Sequence, residues 1–184
     1  MKDALEATRM LASAVLRETT RAAHDAVDTL FSRFDLTDRA SYAAMLVAHA
    51  RALPVAEAAM AAESSLPAWR PRTPLLAEDL HDLGRVMPAP LALELPAGAA
   101  AIAGLAYVVE GSRLGGVYLA RQVGAGLPAR YLSAAHGKGE WRAFLGWLDQ
   151  AGLAGGPDWI EAASAGAAAG FALYQRAEEA EVAA

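Results

Sequence analysis

Residues 107–120 read YVVEGSRLGGVYLA, and the fold class turns on whether this stretch is a helix or a β-hairpin. Val and Tyr favour strands and Gly favours turns, so YVVE and VYLA around GSRLGG suit a hairpin. Two patterns oppose that. The preceding AGAAAIAGLA (97–106) is strongly helical in character, and Ile102, Leu105 and Val109, then Leu114, Val117 and Arg121, recur at helical rather than alternating intervals. The spacing predicts one helix over about 97–124.

The remainder of the chain points the same way. It has 184 residues, 55% of them hydrophobic, with much Ala and Leu and few β-branched residues in most segments, which suits a single all-α domain over 1–184. Residues 4–33 are expected as one long helix with an apolar stripe through Val15, Leu16, Ala23, Val27, Leu30 and Phe34. A second helix starts at a Thr37 or Asp38 cap and runs to about Ser64, with Pro54 as a kink. SLPAWRPRTP is a connection, because three prolines in ten residues cannot sustain a helix. PLLAEDLHDLG is a short helix ending at Gly84, GEWRAFLGWLDQ another, and an Ala-rich helix runs from about Pro157 to Glu181. These mixed lengths predict an orthogonally packed helical bundle.

Charge and composition exclude several functions. Sixteen Lys+Arg against 21 Asp+Glu leave a net charge of −5, so there is no broad electrostatic case for nucleic acid or an anionic membrane. There is no cysteine, which removes disulfides, thiolate zinc sites, iron–sulfur clusters and covalent haem attachment. MKDALEATRMLASAVLRETT carries charges too often for a signal peptide or a membrane span, and a cytoplasmic location is expected.

Two clusters carry chemistry. In LRETTRAAHDAVD (16–28), Arg17, Arg21, His24 and Asp28 are spaced by four, three and four, which sets them on one helical ridge. A metal-ligating imidazole must be neutral and gives its second ring N–H to an acceptor that fixes its orientation, a role open to Asp28 one turn on. Planar guanidinium groups suit the carboxylates of a bound ligand. Taken alone, the ridge also reads as solvated charges on an amphipathic helix. The second cluster is Gly111, Gly115 and Gly116, which together weaken their helix by about 3 kcal/mol relative to alanine. Either another helix packs closely there, or a flat ligand approaches the bare backbone. Ser112 adds a hydroxyl able to bond the preceding turn or a water.

Together the two clusters resemble a known family. LRETTRAAHDAVD is similar to the proximal helix of the haem oxygenases, and YVVEGSRLGG to their glycine-rich distal helix, especially in the bacterial biliverdin-producing branch. The spacing between them agrees, as do YAAML (42–46) and AGLPARYLSAAHGKGEWRAFLGWLD (125–149), so the resemblance covers most of the chain. It implies His24 as the axial ligand of haem iron, with Asp28 supporting it, and Gly111, Ser112, Gly115 and Gly116 as a kinked wall over the opposite face. Small residues there leave space for O2 and for ordered water that delivers protons. Arg17, Arg21 and Arg142 fall where the family places basic residues near the propionates, and Phe171 or Tyr174 reaches a porphyrin edge. Haem would be both cofactor and substrate, cleaved with O2 to biliverdin, CO and ferrous iron. A reductase or ferredoxin would supply electrons, since no flavin or nicotinamide fingerprint is present. Ser112 departs from the members that carry Asp near that position.

Other readings compete. The same fold serves a haem carrier or sensor without catalysis. Similar helical enzymes that degrade thiamin use a Cys nucleophile, which is absent. EDLH places Glu78 and His81 at a di-iron spacing, but only one such motif is present where the ferritin-like proteins need two. His49 reads as a packed or half-exposed helix residue, His81 as solvent-facing and His136 as a loop residue. Trp141, Phe144, Trp147, Phe171 and Tyr174, at helical spacing, read as core from the pattern alone.

Overall fold

The computed structural model describes residues 11–182, and these contain seven helices and no strand. Helix α1 is Ala12–Thr19, α2 Arg21–Phe31, α3 Arg39–Ala61, α4 Thr73–Asp82, α5 Ala99–Ala120, α6 Arg130–Ser133 and α7 Glu140–Val182. The stretch 107–120 is helical throughout, inside α5, so the hairpin is excluded.

The long first helix is corrected. Residues 4–10 lie outside the described residues, and the rest divides at Thr20 (φ −101°, ψ 1°) into α1 and α2. Thr20 is buried, and its Oγ1 donates to the Leu16 carbonyl at 2.7 Å, a back-bond that locally opens a helix. The amides of Thr20 and His24 still donate to the carbonyls of Leu16 and Thr20, so the ridge keeps its helical register across the break.

Asp38 is the cap of α3, accepting the Ser41 amide at 2.8 Å, and Pro54 lies within the helix. The two C-terminal helices meet as one element, α7, at Gly156, whose φ of 74° is open to glycine and costly for other residues. Short α6, which the sequence pattern did not announce, is held by Asp79 on α4. That fully buried carboxylate accepts the backbone amides of Arg130 (3.2 Å) and Tyr131 (2.9 Å) and the Arg130 guanidinium (3.0 Å).

The apolar interior has two parts. The larger gathers α3 with α4, α6 and one face of α5 and α7, through residues such as Leu46, Leu53, Leu76, Leu105 and Leu173. The smaller joins α1 to α5 and α7 through Leu16, Ala103, Leu148, Ala163 and Phe171. Helix α2 belongs to neither in full, having no fully buried residue. Its apolar residues Val27 and Phe31 are half-buried, packing against the edge of the core while also lining a cavity.

Candidate functional site

A cavity of about 930 Å³ opens between α2 on one side and the second half of α5 on the other. That is the upper part of the range typical of small-molecule and cofactor pockets. Helix α2 contributes Arg21, His24, Val27, Asp28 and Phe31 to its wall, and α1 contributes Arg17. Helix α5 contributes Gly111, Ser112, Gly115 and Gly116, while α7 adds Trp141, Leu145, Phe171 and Tyr174. The ridge and the glycines read from the sequence thus stand across one cleft.

His24 keeps a side-chain exposure of 56%, and its Nδ1 lies 3.4 Å from Asp28 Oδ2 and 3.6 Å from Asp25 Oδ1. Two carboxylates therefore face one ring nitrogen, where the spacing had singled out only Asp28. Phe171 meets the His24 ring edge-on at 5.9 Å between centroids. Arg17 and Arg21 both line the cavity and are exposed, and Arg21 also pairs with Glu18. Arg142 is exposed and is not among the residues that line the cavity. Its neighbour Trp141 takes the inward position, and successive helical side chains diverge by about 100°.

The three glycines differ. A Cβ on Gly115 would meet nothing within 4 Å, so bare backbone there opens onto the cavity. On Gly111 it would touch the Trp141 ring at 3.5 Å, and on Gly116 it would press the Leu132 carbonyl oxygen at 3.0 Å. Gly116 therefore serves the approach of α6 as well as the cavity wall. All three stay in an unbroken helix, with no positive φ among them.

The cavity floor carries polar groups that sequence reasoning missed. His49 on α3 lies with its Nδ1 2.7 Å from the Tyr131 hydroxyl, and its ring packs against Phe31, Tyr131 and Tyr174. Burial, with a smaller push from Arg72, drives the His49 imidazole down to about 3, so it is neutral at physiological pH. Burial also raises the phenols of Tyr131 and Tyr174, keeping both protonated. Arg72, in the proline-rich connection, enters the floor because Glu57 on α3 accepts the backbone amides of Arg72 (2.6 Å) and Thr73 (3.1 Å). Its Nη2 donates at 2.7 Å both to Ser112 Oγ and to the Val109 carbonyl, and Ser112 Oγ itself donates to that carbonyl at 2.7 Å. The only sign of this in the sequence was a cation among prolines and a histidine in an apolar helix.

The opposite face of α5 holds a separate ion cluster. Glu110 and Arg113 are buried, with Arg113 Nε 3.0 Å from both Glu110 oxygens and His136 Nε2 3.0 Å from Glu110 Oε2. His136 lies in the loop between α6 and α7 and is stacked on Trp141. Glu78 and His81 are exposed and Glu78 faces Arg130 at 3.5 Å. No group of three or more His, Asp or Glu with metal-binding geometry occurs among the described residues, and none of the described helices is long and apolar enough to cross a membrane.

No family profile and no curated protein matches the chain. Among solved structures, the NO- and CO-bound haem oxygenase from Neisseria meningitidis is similar, with a TM-score of 0.77 and 26% identity over 95% of this chain and 92% of that one. Agreement on this scale along nearly the whole of both chains is agreement of the entire helical course, and it shows that this chain has the fold of that haem oxygenase.

Proposed function

We propose that this protein is a haem oxygenase that binds haem in the α2–α5 cleft, with His24 holding the iron, and converts it with O2 to biliverdin, CO and ferrous iron. The observation that carries the reading is the cleft itself: one imidazole on one wall, uncovered peptide backbone at Gly115 on the other, and about 930 Å³ between them. The donor set suits haem. His24 would hold the iron, which would supply the capacity to activate O2. Asp28 beside Nδ1 leaves Nε2 for the metal, and carboxylate support of this kind sharpens a histidine ligand. Arg17 and Arg21 provide positive charge at the rim for the propionates.

Bound haem supplies the iron that activates O2 and the ring that is opened; the chain's residues supply its surroundings. Val27, Phe31, Leu119, Leu145 and Phe171 exclude bulk water from the cleft. Gly111 and Gly115 keep side chains out of it. Ser112 contributes less directly than the resemblance implied, because its hydroxyl is engaged with Val109 and Arg72. The other hydrogen-bonding groups at the floor are the phenols of Tyr131 and Tyr174 and the Arg72 guanidinium, which ordered water can link to the cleft. Electrons come from a separate reductase or ferredoxin.

Titration with haemin tests the reading. The wild type is expected to develop a Soret band with a neutral-imidazole ferric spectrum, and His24→Ala to bind at least about tenfold more weakly or with an altered spectrum. Reaction of the wild-type complex with O2 and a chemical reductant is then expected to replace the Soret band with bilin absorption and to release CO. A complex that binds haem and survives that reaction is a carrier, and an unchanged His24→Ala spectrum removes His24 from the site.

A further inference from the structure

Arg72 is 2% exposed, and among the described residues no carboxylate pairs with its guanidinium. Nη2 is engaged with Val109 and Ser112, Nε is buried without a partner, and Nη1 donates to no protein group among the described residues. The nearby carboxylates are committed elsewhere. Both Glu57 oxygens accept backbone amides, and both Glu110 oxygens serve Arg113 and, through one of them, His136. Arg113 is itself a second buried cation close by; burial, followed by the charge of Arg72, pulls its guanidinium below the usual range. The Tyr131 ring, 5.1 Å beneath the Arg72 guanidinium, offsets part of the cost through its π face. It does not supply a counter-charge.

A buried guanidinium is tolerated where its hydrogen bonds are met, so one with unfilled donor positions beside a cavity marks where an acceptor, best an anion, enters. Tyr174 gives a second, independent sign. Its hydroxyl is buried, without a partner among the described residues and held protonated, and its side chain lines the same floor. His49 stays neutral there and adds no charge of its own.

We propose that the floor of the cleft is a small-anion site, in which Arg72 with Tyr174 as second donor receives a monovalent anion of the formate, azide or chloride class, distinct from the arginines at the rim. The site exists in the protein without haem and does not rest on the haem reading.

The test uses the haem-free protein and its thermal midpoint as sodium formate replaces sodium gluconate, a bulkier anion, at constant ionic strength. The wild type is expected to show a saturable rise of about 3–5 °C at ten times the formate Kd. Arg17→Ala keeps that rise and Arg72→Met loses it. Tyr174→Phe weakens formate about 3–10-fold, the effect of one hydrogen bond, and decides the matter if Arg72→Met does not fold. Equal rises in the wild type and Arg72→Met, an unchanged Kd in Tyr174→Phe, a loss in Arg17→Ala alone, or no saturable rise in the wild type each overturn the site.

Discussion

The two halves of α5 use glycine for opposite ends. In the first half, a Cβ on Gly104 would lie 1.8 Å from the Ala163 carbonyl oxygen, and one on its counterpart Gly166 of α7 would lie 1.9 Å from the Ala101 oxygen. The two backbones touch, and no side chain fits between them. In the second half, the Gly115 Cβ position is empty to 4 Å and faces the cleft. Both readings of a glycine in a helix, close packing and room for a ligand, hold on the same helix three turns apart. A missing side chain permits close approach; what approaches is set by the partner surface.

Three substitutions test this contrast. Gly104→Ala is expected to cost about 3 kcal/mol or to prevent folding, because the obstacle is backbone on both sides and overpacking cannot relax cheaply. Thermal unfolding measures it, and a neutral result would mean that the α5–α7 contact is looser than described.

The open half has beneath it a polar floor with a pH signature that the sealed half lacks. His49 is held near 3 when folded against about 6.5 when free, so the unfolded chain binds a proton that the folded protein refuses across that window. Stability from this group is complete above pH 6.5 and falls as pH drops towards 3, with about 2 kcal/mol lost between pH 7 and pH 5. His49→Gln is expected to flatten that part of the denaturant-unfolding pH profile. Parallel wild-type and variant profiles would place the imidazole in water.

The smallest effect belongs to Gly115→Ala. It is expected to stabilise the haem-free protein by about 1 kcal/mol through helix propensity, while weakening haem binding because the methyl group enters the cleft. Higher stability with unimpaired haem binding would show that this wall has spare depth.

Legibility followed sequence distance. Arg17, Arg21, His24 and Asp28 could be found because helical periodicity puts them on one ridge, and the Thr20 opening preserved the register. The α5 helix was legible because its apolar intervals outweigh the strand preference of Val and Tyr. Position within a helix, and not nearness in the chain, chooses which of Trp141 and Arg142 lines the cavity, and it is Trp141. His49 and Arg72 carried too little local pattern: each becomes a floor residue only through a partner far along the chain, Tyr131 for one and Glu57 and Ser112 for the other.

The amino-acid order alone determined an all-helical chain without thiol chemistry, a ridge bearing one imidazole between charges, and a helix thinned by glycine, because these depend on local periodicity and residue chemistry. Tertiary structure decided that the ridge and the thinned helix face each other, that Gly104 seals while Gly115 opens, and that a histidine and an arginine from elsewhere close the floor. Those outcomes depend on which surfaces meet, and burial, charge matching and backbone approach take their values only once the helices have packed.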